Sequence, residues 1–102
     1  MARDAAYRKA EKRIEAALES GATKLDLNNF GLTELPESLG RLTQLLELCL
    51  NDNKLTSLPD GLSHLTQLQT LQLFSNKLKR FPHALRTLTA LRTCLKSLNS
   101  VV

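Results

Sequence analysis

Residues 45–55 read Leu45-Leu46-Glu47-Leu48-Cys49-Leu50-Asn51-Asp52-Asn53-Lys54-Leu55. Twenty-three positions later, residues 68–78 repeat the frame as Leu68-Gln69-Thr70-Leu71-Gln72-Leu73-Phe74-Ser75-Asn76-Lys77-Leu78. Each copy runs on in step, through Leu58, Pro59, Leu62 and Leu65 in one and Phe81, Pro82, Leu85 and Leu88 in the other. Working backwards, a copy fits from Ala22, with Leu25, Leu27, Phe30 in the asparagine slot, then Leu32, Leu35, Pro36, Leu39 and Leu42. Working forwards, a fourth copy starts at Leu91 and keeps only Asn99 and Val101 in frame beyond its strand. A fixed period of this length marks a stack of supersecondary units, none of which can bury its apolar face alone. Such a stack presents a surface and encloses no pocket.

Each unit divides physically. Its Leu-x-x-Leu-x-Leu segment alternates apolar with polar, so the leucines point inward and the residues between them face out. Stacked copies of that segment make a parallel sheet. The asparagine that follows (Asn53, Asn76, Asn99) sits where the chain turns, and its amide can bond backbone groups of the adjacent turn. Proline suits the outer arm because that arm needs no ladder N–H. Glu37 to Leu42 is expected to form a short helical or 3₁₀ turn.

Ahead of the repeats, Tyr7, Ala10, Ile14, Ala17 and Leu18 recur at three- and four-residue spacing, which predicts a helix from about Asp4 to Ser20. Asp4 suits the N-cap, and Gly21 stands where helices commonly stop in a left-handed conformation. The apolar stripe of this helix needs a partner surface, and the open end of the first leucine layer offers one. The expected organisation is one domain, residues 1–102: cap helix 1–21, repeats 22–44, 45–67 and 68–90, and a degenerate partial repeat 91–102. In that last unit Cys94 takes the second leucine's place and Lys96 the third's, so its strand should pair but pack poorly. No capping helix follows it. Its edge is therefore expected either to continue in a longer protein or to be covered by another molecule, since open sheet edges invite pairing.

Composition narrows the function classes. Hydrophobic residues make up 42% of the chain, but tryptophan is absent and the aromatics are only Tyr7, Phe30, Phe74 and Phe81. That composition fits stacked leucine layers. No apolar run approaches the ~18 residues of a membrane span, and the charged N-terminus is neither a secretory signal nor a transit peptide. Cys49 and Cys94 fall two strands apart, roughly 10 Å, beyond the ~7 Å reach of a disulfide. Both are read as free thiols, suited to a reducing compartment, and the expected location is the cytoplasm. The net charge of +4 hides an asymmetry, because Asp60 is the last acidic residue. Residues 1–60 sum to −2 and residues 61–102 to +6.

No catalytic, metal-binding or cofactor-binding constellation stands out. His64 and His83 sit on outer arms, away from any cysteine or carboxylate at ligand spacing. Cys49, facing outward, has no histidine partner to activate it. Gly21, Gly31, Gly40 and Gly61 are scattered and form no phosphate-binding loop. The outward columns of the sheet are the better place to look: Asp26 from the first repeat, Leu46, Glu47, Cys49 and Asn51 from the second, Gln72 and Phe74 from the third. Phe74 is an aromatic where the neighbouring repeats have Asn28 and Asn51, and exposed aromatics are common interface anchors. Leu46 and Cys49 are expected to lie near it and extend a small apolar patch. Lys77, Lys79, Arg80 and Arg86 form a candidate basic patch. Nucleic acid is the disfavoured partner for it, because such readers add stacking aromatics.

The repeat frame resembles the 23-residue leucine-rich repeat class with Leu-Pro in each turn, as found in Roco-type GTPases, Ras-pathway scaffolds and bacterial repeat proteins. The stretch from Tyr7 to Ala22, with Arg8, Glu11, Ile14, Glu15, Gly21 and then Thr23, also looks like the cap preceding the first repeat in bacterial Roco-like proteins. No GTP-binding loop follows. The resemblance implies an α/β fold: a short right-handed solenoid with its parallel sheet on a concave face, an N-terminal α-helical cap and no evident C-terminal cap. It also implies a non-enzymatic module that binds a protein partner through the concave face and flanking turns. Two alternatives stand beside that expectation. One is a self-assembling unit pairing as a homo-oligomer through its uncapped C-terminal strand, and the other is the detached sensor domain of a Roco-like GTPase.

Overall fold

The computed structural model describes residues 5–78 and the backbone of residues 93–96. The expected helix is present as α1, Ala5–Ser20, and it buries Tyr7, Ala10, Ile14 and Ala17 along one stripe. It stops at Gly21, whose φ of 68° is left-handed. The N–H of Ala22 then donates to the Ala17 carbonyl at 3.0 Å, the bond that closes a Schellman-type end. The suggested N-cap, Asp4, lies outside the described residues. α1 lies against the first strand and the first outer arm.

Four strands follow: β1 Lys24–Asp26, β2 Glu47–Cys49, β3 Thr70–Leu73 and β4 Thr93–Lys96. They pair in parallel in sequence order, β1-β2-β3-β4. The register follows the repeat, Leu25 opposite Leu48 opposite Leu71 opposite Cys94. Leu73 pairs with Lys96, so the expected breakdown of the leucine columns occurs at β4. Leu25, Leu27, Leu48, Leu50, Leu71 and Leu73 are all buried beneath the sheet. Opposite them, Leu32, Leu35, Leu39, Leu42, Leu55, Leu62 and Leu65 close the core from the outer side.

The outer arms are 3₁₀ turns at Glu37–Arg41 and Asp60–His64. Each follows a proline, Pro36 or Pro59, in extended conformation at φ −63° or −72°, a value the pyrrolidine ring already favours. The two arms meet closely at glycines. A Cβ on Gly40 would stand 2.9 Å from the Gly61 carbonyl oxygen, whereas one on Gly61 would meet nothing nearer than 3.5 Å among the described residues.

Asparagine columns stitch the corners. The Asn53 side chain accepts the N–H groups of Phe30 and Leu32 and donates to the carbonyls of Leu27, Leu50 and Asn51. Asn76 repeats the pattern one unit on, accepting from Leu55 and donating to Leu50, Leu73 and Phe74. Buried backbone groups need such partners, and here a side chain supplies them. In the first repeat Phe30 takes this slot, beside α1. Its half-buried ring packs on the core instead, with Lys9 Nζ and Arg13 Cζ at 5.2 and 5.5 Å from its centroid.

One regular feature escaped the sequence reading. Asn29, Asp52 and Ser75, spaced by the repeat, all adopt left-handed backbone with φ of 57–59°. No helix among the described residues is long and apolar enough to cross a membrane.

Candidate partner-binding face

The outward sheet face is built from three columns. Lys24, Glu47 and Thr70 share the first, with Thr93 completing the register. Asp26, Cys49 and Gln72 share the second, followed by Leu95. Asn28, Asn51 and Phe74 occupy the third, just past the strand ends, where backbone bonds from Asn29 to Asn51 and from Asp52 to Phe74 carry the ladder onward.

Polar bonds hold this surface rigid. The N–H of Asn51 donates to Asn28 Oδ1, and the N–H of Phe74 donates to Asn51 Oδ1, both at 2.7 Å. Asn51 Nδ2 also donates to Gln72 Oε1 at 2.8 Å. Asn51 was expected as a partner-reading residue, yet both ends of its amide are already engaged. This second asparagine column ends at Phe74, which has no side-chain acceptor to pass on. Its ring is 43% exposed, and it is the exposed large hydrophobic among the described residues.

Cys49 corrects the sequence reading. Alternation put it on the outward face, and its column position agrees, but it is only 4% exposed. The residue is short, and its column neighbours Asp26 and Gln72 both carry longer side chains. Its thiol donates to Glu47 Oε2 at 3.6 Å. Burial, then the negative charges of Glu47 and Asp26, push the thiol pKa up, against a smaller lowering by Lys24. A thiol held protonated is a poor nucleophile.

The expected apolar patch does not assemble either. Leu46 is half-buried and level with Gln69, five residues before Phe74. That offset amounts to about 16 Å along the strand direction at ~3.3 Å per residue. Phe74 and Leu46 therefore mark opposite ends of the face. Between them Glu47 pairs with Lys24 at 3.7 Å, and the carboxylate of Asp26 accepts the Asn28 N–H at 2.9 Å. Of the basic patch, Lys77 is exposed, while Lys79, Arg80 and Arg86 lie outside the described residues.

Sequence reasoning missed a cleft of about 380 Å³ between α1 and the first arm, lined by Arg8, Glu11, Lys12, Glu15, Ser38 and Arg41. The Ser38 hydroxyl is buried there without a hydrogen-bond partner. Its opposite charges alternate, so it selects no particular ion. Nothing in the spacing of residues from two such separate segments could have signalled it.

Residues 20–78 match the family model described as leucine rich repeat. No curated protein matches the chain.

Proposed function

Because this chain belongs to the leucine-rich repeat family, whose domains generally mediate protein–protein interaction, we propose that it is a non-enzymatic interaction module. The sheet forms the concave face of a short right-handed solenoid, α1 caps its first layer, and a protein partner seats across the outward columns and flanking turns. The observation that carries this reading is Phe74, an exposed aromatic on an otherwise polar, hydrogen-bonded surface. Exposed aromatics on rigid backbone make effective anchors, because little side-chain freedom is lost on binding.

Area sets a requirement. Four strands at ~4.8 Å spacing with about five residues each give a face of roughly 300 Å². A standard interface covers about 800 Å² per partner. The partner must therefore span the whole face and reach the turns beside it.

The double variant Phe74→Ala, Leu46→Ala tests this. The two positions are far enough apart for their effects to add. Capture of the natural partner should fall by about tenfold or more with little change in melting temperature. Unchanged capture sinks the reading.

A second reading rests on β4. Its place beside Leu71 and Leu73 puts Cys94 and Lys96 in the leucine columns, leaving an edge strand poorly matched to the stack. Pairing of that edge with another copy would produce assembly. Light scattering over a dilution series checks it, and a strict monomer at the highest concentration removes it.

A further inference from the structure

We propose that Phe74 and Asp52 together seat an arginine side chain of the partner protein, its guanidinium stacked on the exposed ring and paired with the carboxylate. The inference rests on the interaction reading above and names the chemistry of that face.

The two residues are neighbours on adjacent repeats just past the ends of β2 and β3, where the Asp52 N–H donates to the Phe74 carbonyl at 2.8 Å. Both side chains are exposed, and neither has a side-chain partner among the described residues. Among the described residues, Phe74 thus offers an exposed ring and Asp52 an unpaired carboxylate at the same end of the sheet.

Charge on the face points the same way. Within the strand columns Lys24 stands against Asp26 and Glu47 and is taken up by Glu47 at 3.7 Å, which leaves those columns with a negative surplus. At the corner beyond them Asp52 stands with the exposed Lys54 and Lys77. The raised thiol pKa of Cys49, caused in part by Glu47 and Asp26, reports the same field from beneath the surface. Such a field favours a cation over a phosphate group at this face.

The chain uses the same chemistry on its other described phenylalanine. Arg13 lies with Cζ 5.5 Å from the Phe30 centroid while its Nη1 donates to the Asp26 carbonyl at 3.3 Å. One guanidinium thus covers a ring and bonds an oxygen at once. Arginine fits Phe74 and Asp52 better than lysine for that reason: its plane stacks, and its fork can bind a carboxylate through two N–H groups.

The test is a ¹⁵N NMR titration of the full chain with the blocked peptide acetyl-Gly-Gly-Arg-Gly-Gly-amide and its citrulline counterpart. Citrulline keeps the shape and removes the charge. The arginine peptide should shift the amides of Asp52, Phe74 and Ser75, with the citrulline peptide about fivefold weaker or more. Phe74→Leu and Asp52→Asn should each weaken the arginine peptide by about threefold to fivefold. Both variants keep the fold: leucine preserves apolar bulk, and asparagine tolerates the left-handed backbone that Asp52 adopts. Equal responses to the two peptides, shifts clustered instead at Glu11 and Glu15, or indifference to both variants would overturn the proposal. So would sedimentation showing a dimer at these concentrations that Asp52→Asn dissolves, because the occupant would then be a second copy offering an arginine from its acid-free half. If the arginine peptide fails while the Phe74→Ala, Leu46→Ala variant still loses its partner, only the arginine seat is lost and the interaction reading stands.

Discussion

Asn53 Oδ1 accepts the backbone N–H of Phe30 at 3.1 Å, so the residue that replaces the first column asparagine is itself held by the next one. The same oxygen takes the Leu32 N–H at 3.0 Å, and the amide nitrogen reaches back to the Leu27 carbonyl. One buried side chain thereby completes the backbone of the preceding repeat.

Asn53→Ala should be among the more damaging polar truncations of the described residues. It strands the Leu32 N–H and the Leu27 carbonyl in a buried corner, at roughly 1–3 kcal/mol for each unsatisfied group. A loss of about 3 kcal/mol is a large share of a small domain's stability. Urea unfolding followed by circular dichroism should show a much lower midpoint. A change under about 1 kcal/mol would mean that water replaces the amide.

The two arm glycines should respond in opposite ways. Gly40→Ala drives a methyl to 2.9 Å from the Gly61 carbonyl, which forces backbone apart and costs about 1–3 kcal/mol. Gly61→Ala places its methyl in ordinary contact, 3.5 Å from the Glu37 carbonyl oxygen. That change should be neutral or stabilise by up to about 1 kcal/mol through the unfolded state. Thermal melts of both variants provide the check, and equal effects would contradict the stagger of the arms.

Cys49 should make the fold alkali-sensitive. Its folded pKa is raised by burial and by Glu47 and Asp26. The unfolded thiol therefore ionises first, at about 8.5. Its stabilising contribution is complete below that value and is lost as pH climbs through the folded pKa. Stability measured from pH 7 to 10 should decline less in Cys49→Ala than in the parent. Iodoacetamide at pH 8, with the site read by mass spectrometry, should label Cys49 slowly until urea is added; rapid native labelling would refute its burial.

The leucine frame and the corner asparagines were legible because identical residue types recur at identical intervals, and the cap-like helix because apolar residues recur at helical spacing. The left-handed corner was not. Asn29, Asp52 and Ser75 share a backbone conformation but no residue identity, so periodicity had nothing to register. The meeting of Gly40 and Gly61 was hidden for a related reason. The two glycines are staggered across the arms and do not occupy equivalent repeat positions. On the candidate face, alternation put Cys49 in the correct column but could not weigh a short side chain against longer neighbours. Reading Leu46 as a neighbour of Phe74 failed on distance along the strand, which column membership alone does not measure.

The two asparagine columns run in opposite senses. Asn53 and Asn76 serve groups of the repeat before them, while Asn28 and Asn51 accept from the repeat after them. Both described junctions, between the first and second repeats and between the second and third, are thus fastened by one thread from either side, as in a lockstitch. A whole unit could be cut out or copied between equivalent points, and the loose ends would find matching partners. The length of the stack is therefore adjustable in steps of one repeat, which lets the breadth of the face follow the size of what it must hold.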